Sequence, residues 1–508
     1  MNNTSAAGRL LFVFQEYYLF FCKQYEKYNS VGMKKMNKRT CLETAANTLK
    51  EHFDLCSDFN IRQVNFPDGG KVYISNLGNY SDRSFISETI VKPLVAFGKT
   101  PENESDVFTV IASNELIKAD GEADAESKLL SGFALIICEF SDGVSYFCVM
   151  AKRASGRSVS EPDTETVVRG PREGFIESAE DNIALLRKRF KTTAFKTERL
   201  IVGKYTGTFI YIAYLEGAAD KNTLYRVRKA ISELDIPSVM DSGYIEHYLE
   251  KRIPSLFTNV GNSEKPDKVA SKLVEGRIGI ICDGSPVVLT VPYLFTESLQ
   301  SSEDYLKTPY YASFIRVIRL IGLFFAMYLP ALYLTLLEHH TGSVPYKLYR
   351  TIIESRNDLP FGVFGELLTI LLIFELIREV GVRMPRAVGD AVGIVAGLIL
   401  GDAAISAGIA SAQAIMVIAL TAVASFIIPP YMNSLMLIRL INLFIAKLLG
   451  FEGIALSFVF LLVYLCRRES FGVPYLTPFA PVGKGIFTDG IFMNPKKCIS
   501  SNTTQKSS

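Results

Sequence analysis

Two glutamates stand inside a stretch otherwise suited to a bilayer: Glu366 and Glu375, in FGVFGELLTILLIFELIREVGVRMP at residues 361–385. A carboxylate in hydrocarbon is costly, so such a group pairs, sits at an interface, or faces a water-filled path where acidic side chains favour cations. Nine residues separate the two. On a regular helix that spacing places them on opposite faces, so they cannot form one paired-carboxylate site. Arg378 lies three residues beyond Glu375, the spacing of a local ion pair. Glu366 has no charged partner within a turn. It is either an interfacial residue on a helix lying along the membrane or a carboxylate facing an aqueous cavity. Downstream, Gly389, Gly393, Gly397 and Gly401 recur every four residues, continue into Ala404, Gly408 and Ser411, and run into Asp402. Small residues at this spacing share one side of a helix and allow close backbone approach. Plain helix packing, a subunit seam and the flank of an ion path all fit that face. The two glutamates, the four glycines and Asp402 are therefore the ion-path and gating candidates.

Other chemistries find little support. His339 and His340 follow Glu338, but only His52 and His247 remain elsewhere, so interfacial histidines are expected rather than a metal centre. The eight cysteines include no C-x-x-C pair and several sit in apolar strand-like runs, as reduced core cysteines do. Neither a P-loop, a serine elbow nor a metalloprotease motif occurs. The expectation is a non-enzyme with no catalytic residue, metal or cofactor. A formal net charge of +2 over 508 residues gives no footprint for nucleic acid. The apolar patch from Leu10 to Cys22 is interrupted by Gln15 and Glu16 and precedes no small-residue cleavage site, so a signal peptide is not expected.

The elements around these residues fall into two halves. Residues 1–45 read as a polar lead-in, 46–155 and 156–300 as two soluble subdomains, 301–470 as a membrane domain, and 471–508 as a cytoplasmic tail. Three strand pairs mark the soluble half: FALIICEF and VSYFCVM around Ser141-Asp142-Gly143, RLIVGKY and TFIYIAYLEG, and RIGIIC and VVLTVP around a second Asp-Gly. Asp-Gly between apolar runs signals a hairpin. Helical stretches at Asp181–Arg189, capped by Asp181 or Asn182, and at Asn222–Leu234 alternate with them, which suggests two small, related subdomains. In the other half, Leu320–Leu337 is an 18-residue run without a charge, preceded by Arg316 and Arg319. Basic residues at that end put it on the cytoplasmic side. Shorter or interrupted apolar stretches follow, and Arg467-Arg468 closes the last. If both basic ends are cytoplasmic, the spans number four or six. The fold class is thus multi-domain: an α/β (α+β) N-terminal region of two small subdomains in the cytoplasm, followed by an all-α multi-span membrane bundle.

Several blocks carry a resemblance: EPDTETVVRGPREGF with NIALLRKR, EGRIGIICDGSPVVLTVP with SSEDY, FELIREVGVRMPRAVGDAVGIVAGLILGDAAISAGIAS, and RRESFGVPYLTPFAP. In this order they resemble the GerA family of spore germination receptors. REVGVRMP and the glycine block look more like the receptor A subunit than its paralogue encoded with the stage V spore channel proteins. The family-motif residues are Arg169, Gly170, Pro171, Arg172, Glu173 and Gly174 in the first block, and Arg378, Glu379, Arg383 and Pro385 in the third. The resemblance implies a multi-pass protein of the spore inner membrane with its N-terminal region on the core side. It implies two partners, a transporter-like B subunit thought to bind the nutrient and a lipoprotein C subunit. It also implies a homo-oligomer, with a pentameric ring as the candidate, opening a path for monovalent cations. Two other classes compete. A non-conducting, membrane-anchored signalling module would lose all activity with residues 1–300 deleted. A secondary transporter with broken helices, suggested by Gly401-Asp402 and Pro429-Pro430, lacks matching halves in the sequence.

Overall fold

A computed structural model of the chain describes residues 42–111, 113–153, 165, 170–251, 256–356, 359–383, 401–482 and 490–493. Its N-terminal half holds two five-stranded sheets. The first uses β1 (Phe59–Asn65), β2 (Lys71–Leu77), β3 (Leu116–Lys118), β4 (Phe133–Phe140) and β5 (Gly143–Met150), in the order β1-β2-β4-β5-β3. The second uses β6 (Phe195–Val202), β7 (Thr208–Leu215), β8 (Gly261–Ser263), β9 (Ile278–Cys282) and β10 (Val288–Val291), in the order β6-β7-β9-β10-β8. Every neighbouring pair in both is antiparallel. The chain therefore builds the same sheet twice, and the architecture is α+β.

The apolar strands follow from cover on both faces. Along β4, Leu135 and Ile137 pack under α1 (Leu42–His52) and α2 (Glu122–Leu129), while Ala134, Ile136 and Cys138 pack on the other side with Ile90, Leu94 and Val107. Successive side chains point to opposite faces, so a strand covered twice reads as a continuous apolar run. The hairpin turns fall where Asp-Gly and Thr-Gly stand, with Phe140 opposite Gly143 and Val202 opposite Thr208. Gly143 takes φ 125°, a conformation that side chains disfavour. The second unit adds α3 (Ala179–Arg187), α4 (Lys221–Ser232), α5 (Ser242–Lys251) and α6 (Pro266–Val274). Asp220 caps α4 by accepting from Thr223 N.

Helices make up the other half: α7 (Pro309–Glu338), α8 (Tyr346–Glu354), α9 (Val363–Arg383), α10 (Ala412–Phe426) and α11 (Met432–Cys466). Among the described residues, α7 and the stretch Pro429–Cys466 are long and apolar enough to cross a membrane. The second is not a rod. Gly450 takes φ 62° and ψ −141° inside α11, and Ser457 Oγ donates to Asn442 Oδ1 at 2.5 Å. Fifteen residues of straight helix would hold those groups about 22 Å apart. The chain folds back at Gly450 into a helical hairpin. Its tip packs on His339 at the end of α7, and its base, at Tyr431 and Arg468, rests on Phe257 of the second sheet unit. α9 and α10 run side by side in one direction: Glu366 meets Ser411 at their starts, and Glu375 and Arg378 share a small cavity with Ala422 and Ser425 further along.

One soluble carboxyl makes folding pH-dependent. Burial, with the charges of Glu250 and Asp241 beside it, raises the Glu246 carboxyl on α5 from 4.5 to about 7. In the unfolded chain it loses its proton first, so stability falls as pH rises from about 4.5 to about 7. Thermal unfolding of the full chain at pH 5 and pH 8 is expected to show a smaller drop for Glu246→Gln. An equal drop in both proteins would contradict this.

Candidate functional site

Glu366 lies at the start of α9 with its side chain fully buried, and three donors converge on it. Arg356 Nη1 sits 2.5 Å from Oε2, while Ser411 donates both its backbone N–H and its hydroxyl to Oε1 at 2.6 Å each. The same serine caps α10, its Oγ accepting from Ala414 N. The carboxylate therefore joins the chain after α8, the first turn of α9 and the first turn of α10. A buried pair of this kind adds little net stability but costs much to break, because the remaining charge is left unpaired. Glu375 is held separately. Arg378 Nε lies 2.7 Å from one oxygen and Arg439 Nη1 3.9 Å from the other. Arg439, 3% exposed on the first arm of α11, also donates to Ala326 O at 3.0 Å and to Ser425 Oγ at 2.5 Å. The acids point to different neighbours, as their spacing requires. Asp402 is exposed, and Gly401 has open space where a side chain would stand. Gly389, Gly393 and Gly397 lie outside the described residues.

The soluble motif block ties the second unit together. Gly170 has φ 141°, and Pro171 and Arg172 are exposed beside it. Gly174 is buried, and Phe175 N donates to Glu264 O at 2.7 Å. Glu173 pairs with Lys188 at 2.6 Å and Arg189 at 2.8 Å, which joins the EPDTETVVRGPREGF and NIALLRKR stretches. The hydrogen bond from Lys188, with the Arg189 contact, holds the Glu173 carboxyl below the usual carboxylate range. The cap of α3 is Ser178, which accepts from Asp181 N, in place of Asp181 or Asn182. Asn182 is buried instead and bonds both polar groups of the Ile176 backbone. Arg187, in the basic last turn of α3, is fully buried. Its guanidinium binds Asp58 of the first unit with Nε at 2.9 Å and Nη2 at 2.8 Å. In the motif block of the helical half, Arg378 is paired as above and Glu379 is exposed. Arg169 and Pro385 lie outside the described residues, and Arg383 ends α9.

The profile of the Bacillus/Clostridium GerA spore germination protein matches residues 47–504. The chain belongs to the GerA family. It is 35% identical to spore germination protein KA of Bacillus subtilis over 455 residues, 88% of this chain and 83% of that protein. Spore germination protein A1 of the same organism is 36% identical over 66% of this chain and 70% of its own length. A solved structure, the N-terminal domain of the A subunit of the Bacillus megaterium spore germinant receptor GerK3, aligns with 51% of this chain and 96% of its own at 26% identity and a TM-score of 0.39.

In this GerA chain the sequence blocks left out of the candidate set form the joint between the two halves. The tail block folds back over the hairpin base: Tyr475 Oη meets Tyr431 Oη at 2.7 Å and donates to Thr258 O at 3.0 Å. Arg468 donates to Asn259 Oδ1 and Phe257 O, both at 2.8 Å. In the SSEDY block, Asp304 is buried and receives Arg319 at 2.5 and 2.9 Å and Arg316 at 3.4 Å. Glu297 holds Lys272 at 2.7 Å and Arg277 at 2.9 Å. The arginines before the first apolar run are thus also structural ties. Their signal was present as unbalanced charge beside apolar segments, but their partners lie 12 residues or more away. Both histidines next to Glu338 pack on the hairpin tip, His339 on Gly450 and His340 on Phe451. Among the described residues the free cysteines are buried except Cys466.

Proposed function

We propose that this chain is the A subunit of a nutrient germinant receptor in the spore inner membrane, and that it forms a germinant-gated path for monovalent cations. The observation that carries the gating part is the network of Glu366, Arg356 and Ser411, a buried carboxylate paired at the shared start of α9 and α10. In this reading it holds the closed arrangement. Nutrient bound by a transporter-like B subunit favours a second arrangement in which the contact differs, since a ligand shifts an equilibrium only through differential binding. The lipoprotein C subunit and further copies of this chain complete the assembly. Arg316, Arg319 and Arg467-Arg468 share the end of the bundle next to the sheets, which supports placing the N-terminal region on the core side.

Cation flux through the purified protein in liposomes tests the reading. Glu366→Gln removes the charge and leaves Arg356 unpaired, so basal flux is expected to rise at least about tenfold, the factor that ~1.4 kcal/mol of lost closed-state preference gives. Gly397→Leu is expected to change conductance through the small-residue face. Unchanged conductance and selectivity in both would sink the assignment, and a chain that never conducts would favour the signalling module.

A further inference from the structure

The short helix α8, YKLYRTIIE, sorts its residues by face. At about 100° per residue, Leu348, Ile352, Tyr349, Ile353 and Tyr346 fill a sector of about 160°, and Lys347, Arg350, Thr351 and Glu354 fill the opposite side. The protein covers only the middle of the apolar sector. Ile352 is buried in the core of the bundle and Tyr349 packs partly against it, whereas Tyr346 is 75% exposed, Leu348 52% and Ile353 38%. The polar side is exposed throughout, with Arg350 and Glu354 paired at 2.7 Å.

Position supplies the occupant. The charge-free run Leu320–Leu337 of α7 measures about 27 Å, close to the ~30 Å of a hydrocarbon core, so Glu338 and the two histidines after it stand at the surface of that core away from the sheets. Both ends of α8 are held at this level. Its N-terminus follows His340, which packs on Phe451 at the hairpin tip, and beyond its C-terminus Ser355 donates to Gln413 in the first turn of α10 at 3.0 Å. The helix therefore lies across the end of the bundle rather than along it. The tip of α11 shows the same kind of surface at the same level: Leu448 is 79%, Leu449 55% and Phe451 54% exposed, beside Lys447 in its ion pair with Glu338. A single protein partner would cover one flank of α8. Apolar residues open on both flanks, and again on a second element, fit a bilayer that surrounds the bundle. Tyrosine at the edge of an apolar face, with charges on the other side, is the chemistry of the headgroup boundary.

We propose that α8 is a membrane-parallel helix seated on phospholipid, in the headgroup boundary of the leaflet away from the sheets. Leu348, Ile353 and the Tyr346 ring enter the upper acyl chains, and Lys347 and Arg350 stay among the phosphates. The lipid then anchors the segment from which Arg356, two residues beyond α8, reaches Glu366.

The chain contains no tryptophan, so a single one reports its own surroundings. Full-length chains carrying Leu348→Trp, Lys347→Trp on the polar side of α8, or Val459→Trp at an exposed position on the second hairpin arm would be placed in phosphatidylcholine nanodiscs. The lipid carries bromine either high or low on its acyl chains, and acrylamide quenches from water. Leu348→Trp is expected to be quenched at least about twofold more by the high bromine than by the low one, as the depth of an interfacial helix requires, and at least about threefold less by acrylamide than Lys347→Trp. Val459→Trp is expected to favour the low bromine. Acrylamide quenching of Leu348→Trp equal to that of Lys347→Trp would put the helix in water. No quenching by either agent would put protein over it, a second copy included, and stronger quenching by the low bromine would put it inside the hydrocarbon. Each of these overturns the seat. Should Leu348→Trp not fold, Tyr346→Trp replaces it. The seat rests on the bilayer placement of the bundle proposed above: Val459→Trp unquenched by both lipids overturns that placement and the seat together, whereas a quenched Val459→Trp confines the failure to α8.

Discussion

Replacing Arg187 with alanine is expected to destabilise the soluble half by about 3–5 kcal/mol, the cost of leaving the partner of a buried ion pair uncompensated. The guanidinium is fully buried, grips Asp58 with two nitrogens, and spends Nη1 on Thr192 O at 3.2 Å and Phe195 O at 3.1 Å. It also stacks 4.7 Å from the centre of the Phe195 ring. Alanine would strand Asp58, whose remaining contacts include the Thr197 hydroxyl at 3.2 Å, and would open a cavity at the seam of the two units. The seam has further ties: Asn79 donates to Asp181 at 3.1 Å, and Arg153 pairs with the same carboxylate at 2.9 Å. Ser57 N donates to Thr197 O at 2.8 Å and Thr197 N to Leu55 O at 2.9 Å, so residues 55–57 add a short parallel bridge to the edge strand β6. Circular dichroism during thermal unfolding of the full chain would read the loss. Arg187→Lys keeps the charge but not the planar fork, and should fall between wild type and alanine. Arg187→Met combined with Asp58→Leu should recover most of the stability, because a matched apolar pair replaces a buried ion pair at little cost. An unchanged transition in Arg187→Ala would show that the seam does not depend on this pair.

Asp58 and Arg187 also show where sequence reading stops. Basic residues in a last helical turn ordinarily face water and favour the helix dipole, so Arg187 looked like Lys188 and Arg189 beside it. Its partner lies 129 residues away, beyond any local rule. The partner of Glu366 was hidden for a milder reason: Arg356 is ten residues back, across the break between α8 and α9, where i,i+3 and i,i+4 pairing does not apply. Glu375 and Arg378, in one helix, were legible. So were the hairpins, since continuous apolar runs and the Asp-Gly turns between them are local. The common strand order of the two sheets was not, because their third strands, β3 and β8, are three-residue edges with no pattern to read. The break in the last apolar stretch is visible in the residues themselves, as two apolar runs, Leu435–Leu449 and Gly453–Cys466. That it reverses the chain depends on one torsion at Gly450.

Gly450→Val is expected to open the hairpin. The backbone there, φ 62° and ψ −141°, lies where residues with side chains are strained by about 1–3 kcal/mol. An added Cβ would also stand 3.2 Å from the His339 ring, and a β-branched residue has the least freedom to yield. The favourable alternative for an apolar run of this length is one continuous helix. Its 35 residues would extend about 52 Å, far beyond a hydrocarbon core of about 30 Å, whereas the two arms measure about 27 and 24 Å. Straightening would pull Ser457 from Asn442 and carry Arg468 and Tyr475 away from Phe257 and Thr258, so the tail could no longer join the sheets to the bundle. Cys466 is exposed at the hairpin base and reports its position. In vesicles bearing a chain with Cys22, Cys41 and Cys498 changed to serine, an impermeant maleimide should label Cys466 from the side that holds the sheets; the cysteines buried in the sheets react slowly at most. Gly450→Val should lose that labelling or move it to the other face, and Gly450→Ala should lose part of it. Wild-type labelling in Gly450→Val would mean that the reversal is held by the packing of the arms on α7 rather than by the glycine.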